Sequence, residues 1–142
     1  MNKKNILITL LTGLVILLNG CTNRPQLQNK VIVPKIAYSG GADNASYSEA
    51  QIKIESSCVY LMRENDRVLP VFATKDALWD SNKHLLIIDS KQFREGDTIA
   101  YGSGEAHTLN LNDYNWIVKP DTTCDLNKGI IINQLIEPIT KK

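Results

Sequence analysis

Residues 51–62 read QIKIESSCVYLM, and this stretch decides the fold class. Most even-numbered positions in it are apolar, with Ile52, Ile54 and Cys58 on one side. A period of two places alternate side chains on opposite faces of a strand, whereas a helix repeats every 3.6 residues. The stretch therefore predicts one half-buried β-strand, and its phase predicts that Cys58 faces the same core as Ile52 and Ile54.

Short apolar runs separated by turn residues continue to the C-terminus. Turn signals recur every 8–14 residues, which is typical of small all-β sandwiches and barrels. We expect residues 51–142 to form a mainly β domain, a small antiparallel barrel or sandwich of about seven strands. The further strands are predicted at 68–72, 85–88, 98–101, 107–111, 116–118 and 130–136, with one or two helical turns at 74–78.

Length and composition restrict the class of protein. A chain of 142 residues allows one ordinary domain. Its 43% hydrophobic and 22% charged residues are close to the average for soluble globular proteins. The formal net charge of +1 provides no strong field for nucleic acid or anionic lipid, so no nucleic-acid partner is predicted.

The N-terminus has the pattern of a targeting segment. Lys3 and Lys4 precede a thirteen-residue, mostly apolar run at 6–18 that contains no charge. That length suits a signal peptide and is shorter than the roughly 20 residues that span a bilayer. A core helix or an ordinary secretory peptide with a chance cysteine is the alternative interpretation.

The run ends in Leu18-Asn19-Gly20-Cys21, which resembles the lipobox of bacterial lipoproteins. The resemblance implies a signal peptide at 1–20, cleavage after Gly20, and lipid attachment to the Cys21 thiol and its new amino group. Two or more acyl chains anchor a protein stably, so the implied partner is the membrane. Thr22 rather than Asp follows the cysteine, which favours the periplasmic face of the outer membrane.

Residues 21–50 are predicted to be the lipidated cysteine and a flexible tether. They contain two prolines and a run of small polar residues at 39–46, and offer little apolar surface to offset the entropy of ordering. The exception is 31–33, which could pair as an edge strand before Pro34. Removal of residues 1–20 leaves fourteen basic and fifteen acidic residues, a net charge of −1, so attraction to anionic head groups does not hold the mature chain.

If Cys21 is lipidated, two of the three cysteines remain free to pair with each other. Cys58 and Cys124 are then predicted to form a disulfide in an oxidising compartment. Such a staple would help a small domain that buries a modest share of its surface. Two unpaired thiols are the alternative.

The sequence offers little reactive chemistry. His107, Asp97 and a serine could be imagined as a nucleophilic set, but no serine lies in the G-x-S-x-G motif. The two histidines and two remaining cysteines lack the short spacings of a zinc site. No enzyme activity, metal or cofactor is therefore predicted.

Aromatic residues are the candidate ligand or partner contacts. Trp79, Tyr101 and Trp116 are the residues we single out, with Tyr114 close by in sequence. Aromatic faces bind apolar and stacked groups, although in a small domain such rings more often fill the core.

The layout of lipobox, β pattern and late cysteines is similar to that of small lipoproteins that inhibit host lysozymes. Those inhibitors carry a Ser-Gly-x-x-Tyr loop. Here Ser39-Gly40-Gly41 has no matching tyrosine, so no site residue is inferred from the resemblance. The predicted function is a lipid-anchored protein of the cell envelope with a non-catalytic binding or structural role toward an envelope partner. Inhibition of a hydrolase such as lysozyme, or an envelope hydrolase, is the alternative.

Overall fold

The computed structural model describes residues 30–37 and 46–136, and these residues form a mainly β domain. The predicted fold class is confirmed, with ten strands rather than about seven and no helix among the described residues. The strands are β1 (Lys35–Ile36), β2 (Ser46–Glu55), β3 (Cys58–Arg63), β4 (Asp66–Phe72), β5 (Ala77–Asp80), β6 (Leu85–Ile88), β7 (Lys91–Phe93), β8 (Thr98–Ser103), β9 (Trp116–Val118) and β10 (Gly129–Ile136).

The stretch 51–62 is a hairpin and not the single strand that its period predicts. β2 and β3 pair antiparallel across a two-residue turn, in which Ser56 adopts a φ of 56°. Ile52 lies opposite Leu61, and Ile54 lies opposite Val59. Cross-strand partners point to the same face of a sheet. The inward-facing residues are therefore even-numbered in β2 and odd-numbered in β3. Cys58 therefore faces away from Ile52 and Ile54, contrary to the predicted phase.

Five strands close into a barrel. β2 pairs with β3, β3 with β4, β4 with β10, β10 with β8, and β8 with β2. The β4–β10 pairing is parallel and the others in the ring are antiparallel, so the sheet is mixed rather than antiparallel as predicted. When the five ring strands are numbered in chain order, they follow one another around the barrel as first, second, third, fifth and fourth. This is the connectivity of the OB-fold barrel.

The barrel interior is the main hydrophobic core. Alternate residues of each ring strand point inward, and Ile52, Leu61, Phe72, Tyr101 and Ile130 are fully buried there. Cross-strand alternation of this kind fixes the register, because a slip of one residue would turn the apolar set outward.

A three-stranded sheet, β5-β6-β7, connects β4 to β8. Its inner face presents Trp79, Leu86 and Phe93 to the barrel core. The helical turns predicted at 74–78 are absent, since Ala77 already begins β5. The Lys35 ammonium donates 2.9 Å hydrogen bonds to the carbonyl oxygens of Lys75 and Ala77. These two oxygens therefore accept hydrogen bonds without forming a helical turn.

A second core lies outside the barrel. Tyr60, Leu69 and Val71 face outward from β3 and β4, where residues 104–128 fold back and cover them. Leu109 packs into this layer from the covering segment and is buried. The face of β3 and β4 that points away from the barrel is therefore buried within the domain.

The domain begins earlier than the predicted boundary at residue 51. Val33 and Ile36 are buried, β1 pairs with both β4 and β9, and β2 starts at Ser46. The buried apolar side chains of 31–36 supply surface that offsets the entropy of ordering this segment. The predicted signal peptide, Cys21, and the tether at 22–29 and 38–45 lie outside the described residues. Within the described part of the chain, no helix is long and apolar enough to cross a membrane.

Candidate functional site

The predicted disulfide joins Cys58 to Cys124, with Cα atoms 5.7 Å apart. Both cysteines are buried in the second core, at 2% and 6% exposure. The bond ties the start of β3 to the covering segment 104–128. Its role is to hold that segment on the outer face of the barrel.

A charged cluster beside the disulfide is structural. The Arg67 guanidinium stacks 4.4 Å from the Tyr60 ring centroid and forms ion pairs with Glu55 and Asp125. The Asp125 backbone N–H donates to the Tyr60 hydroxyl at 2.9 Å. Hydrogen bonds from the Asn127 backbone and side chain hold the pKa of the Asp125 carboxyl below its usual value. The charged groups of the cluster are thus paired with one another, and they fix the position of Asp125 in the covering segment.

The candidate site is an open groove of about 510 Å³ along β9, within the size range of small-molecule sites. We call it the β9 groove. Its apolar wall comes from Tyr114, Trp116 and Ile117, the last being 47% exposed. Among the described residues, β9 lies at the edge of the seven-stranded sheet and pairs only with β1. The groove therefore lies along an edge of β9 that has no strand partner within residues 30–37 and 46–136.

The two rings of the groove are held in fixed orientations. The Trp116 indole N–H donates to the Leu111 carbonyl oxygen at 2.8 Å. Tyr114 meets Trp116 edge to face, with centroids 5.4 Å apart. The Tyr114 hydroxyl is hydrogen-bonded to His107 Nε2 at 2.7 Å. Partial burial, reinforced by the charge of Asp113, raises the pKa of Tyr114, so the phenol stays protonated.

The polar side of the groove is formed by Asn112, Asn115 and Lys119. All three are exposed. Their side chains make no hydrogen bond or ion pair with the part of the chain that the structure describes. Two amides and one ammonium group are thus available beside two aromatic rings.

The structure separates the three aromatic candidates. Trp116 lies in the β9 groove. Tyr101 is wrong as a contact residue, because it points into the barrel and is 0% exposed. Trp79 is half-buried against the inner core and meets His84 edge to face at 6.5 Å; it lies on β5 of the three-stranded sheet and does not line the β9 groove.

Sequence reasoning missed the asparagines of the groove. The run at 110–116, NLNDYNW, alternates amides with aromatic and apolar residues. That mixture of side chains was the available signal.

The imagined nucleophilic set is not assembled. His107 contacts the Glu105 carbonyl oxygen and the Tyr114 hydroxyl, whereas the Asp97 carboxylate accepts from the Arg94 backbone N–H at 2.7 Å. Within 30–37 and 46–136, no three histidine, cysteine or acidic residues are grouped to hold a metal ion. No family model matches the chain, nor does any curated protein or solved structure.

Proposed function

We propose that this chain is a lipid-anchored lipoprotein of the bacterial cell envelope with a non-catalytic binding role. The observation that carries the proposal is the Leu18-Asn19-Gly20-Cys21 sequence behind a basic and then apolar N-terminus. The buried Cys58–Cys124 disulfide supports it, since such bonds persist in oxidising compartments outside the cytoplasm.

The proposed anchor lies close to the folded domain. Cys21 precedes Lys30 by nine residues, a distance of at most about 30 Å when fully extended. The chain enters the domain where the Ile32 backbone N–H donates to the Ser57 carbonyl oxygen at 2.7 Å. The residue after Ser57 is Cys58, which forms the disulfide with Cys124. The proposed anchor would therefore join the domain next to the disulfide.

Metabolic labelling with a fatty acid tests the anchor. We expect label in the wild-type chain and none in Cys21→Ala, while Thr22→Ala, a matched change next to the cysteine, stays labelled. Equal labelling of the wild type and Cys21→Ala would contradict the proposal. Separation of inner and outer membranes then tests the proposed outer-membrane location, which the residue at position 22 favours.

The binding role rests on the β9 groove, whose rings are fixed and whose amides are unpaired within the described chain. The enzyme alternative requires a reactive group, and His107 is the exposed histidine beside the groove. Turnover of an envelope substrate that is abolished in His107→Ala would replace the binding proposal with a catalytic one.

A further inference from the structure

We propose that the β9 groove binds a short oligosaccharide that carries acetamido groups. The inference rests on the proposed binding role and deepens it by naming the ligand class. It is carried by the two oriented rings, Tyr114 and Trp116, beside the amides of Asn112 and Asn115, which have no hydrogen-bond partner in the part of the chain that the structure describes.

The rings provide the stacking surface. Tyrosine and tryptophan supply rigid, amphipathic contact area at a low cost in conformational entropy. Here the cost is reduced further, because Trp116 is held by Leu111 and Tyr114 by His107 before any ligand arrives. The two rings lie at 73° to each other and are partly buried against the second core, so each offers a separate contact surface. The C–H face of a pyranose ring is flat and weakly apolar, and it matches the exposed part of one such ring.

The amides provide the polar complement. An asparagine side chain carries two N–H donors and an oxygen acceptor. An acetamido group presents one donor and one acceptor in a similar planar array, so the two can pair reciprocally. Sugar hydroxyls can use the donors and acceptors that remain.

Other ligand classes fit the groove less well. Among the described residues that line the groove, Lys119 is the one cation, whereas nucleic acid needs several cations to neutralise its phosphates. A lipid chain needs an enclosed apolar cavity, and this groove is bordered by exposed Asn112, Asn115 and Lys119. A flat, neutral and amide-rich ligand remains the best match.

Tryptophan fluorescence can isolate the groove. The chain has two tryptophans, so Trp79→Phe leaves Trp116 as the only indole. We expect chitotriose, an oligomer of N-acetylglucosamine, to change its emission saturably when titrated into the full chain in detergent. Cellotriose, which lacks the acetamido groups, should bind roughly fivefold more weakly, the effect of losing one neutral hydrogen bond.

Substitutions then locate the contact. Asn115→Ala should weaken chitotriose binding by roughly fivefold, whereas Asn82→Ala, an exposed asparagine in the β5–β6 turn, should leave it unchanged. Calorimetry on the unsubstituted chain measures the same binding independently of any effect of Trp79→Phe on folding.

Three results would overturn the inference: no saturable binding by calorimetry, equal affinity for the two trisaccharides, or equal weakening by Asn115→Ala and Asn82→Ala. Capture of a protein through the intact groove, with no response to chitotriose, would assign the surface to a protein partner instead. Each leaves the fatty-acid labelling of Cys21 unaffected, so failure of this inference is distinguishable from failure of the proposed anchor.

Discussion

Two tyrosine hydroxyls show how position decides the effect of a single group. Tyr101 is fully buried, and its hydroxyl has no well-aligned hydrogen-bond partner among the described residues. Burial raises the pKa of Tyr101, an effect that the positive charge of Arg63 and the contact of its side chain with the hydroxyl only partly offset. The Tyr60 hydroxyl, by contrast, accepts the Asp125 N–H at 2.9 Å.

Replacement of each tyrosine by phenylalanine should therefore have opposite effects. Tyr101→Phe removes a buried hydroxyl that has no well-aligned hydrogen bond among the described residues, and it should leave the free energy of unfolding unchanged or raise it by up to about 1 kcal/mol. Tyr60→Phe leaves the Asp125 N–H unpaired and should lower it by about 1 kcal/mol. Urea unfolding measures both, and a loss of stability in Tyr101→Phe would contradict the first expectation.

Gly129 is required for a close approach of side chain to backbone. A Cβ atom added there would overlap Cγ and both Cδ atoms of Leu109, which is buried in the second core. We expect Gly129→Ala to lower the free energy of unfolding by about 1–3 kcal/mol, as overpacking does. Gly104→Ala is the matched control, because no atom lies within 4 Å of its added Cβ. Equal effects of the two changes would argue against the overlap.

At the scale of elements, strand positions were easier to predict than strand partners. The apolar runs at 85–88 and 116–118 are strands with those bounds. The hairpin at 51–62 was missed because the two-residue turn keeps an apolar period of two while exchanging the faces. The strand at 77–80 was missed because its four residues, ALWD, are too few to show a period of two; the strand is held by its pairing with β6, with Ala77 opposite Ile88.

The covering segment depends on the disulfide. Closing a loop across 66 residues stabilises a chain by about 4 kcal/mol in the chain-entropy model, an upper figure. We expect the Cys58→Ala/Cys124→Ala double variant to lose up to that amount in urea unfolding. Without the staple, residues 104–128 should also become the first site of limited proteolysis, since only non-covalent contacts, such as those of Leu109 and Leu126, then hold them on the apolar face that they cover.

A protease pattern unchanged between the double variant and the wild type would contradict the second part of this expectation. Equal stability of the two proteins would contradict the first. The two measurements are independent, because proteolysis reports local opening of the segment and urea reports unfolding of the whole domain.

For the whole molecule, the mainly β class followed from composition and period, but barrel closure did not. β4 and β10 pair in parallel with Leu69 opposite Gly129, a contact between residues far apart in the sequence. Local patterns do not specify such a pairing. The same limit applies to the candidate site. Trp116 was singled out from its residue type and lies in the β9 groove, whereas Tyr101 was misassigned because burial is a property of the closed barrel.

The carboxylates of the domain predict its response to acid. Asp66, Asp121 and Asp125 all have a pKa below their ordinary value of 3.8. The largest causes are hydrogen bonds from Lys128 to Asp66, from Thr123 to Asp121, and from Asn127 to Asp125. Below pH 3.8 the unfolded chain therefore binds more protons than the folded domain, so stability is lost as the pH falls.

These groups should leave the thermal unfolding midpoint constant between pH 7 and about pH 5, where the carboxylates are ionised in both states. The midpoint should then fall as the pH drops through and below 3.8. Asp125→Asn keeps a similar shape and an oxygen acceptor for Asn127 but does not titrate, so it should reduce the slope in acid. A slope equal to that of the wild type, or a midpoint that rises as the pH falls, would show that these hydrogen bonds do not set the acid response.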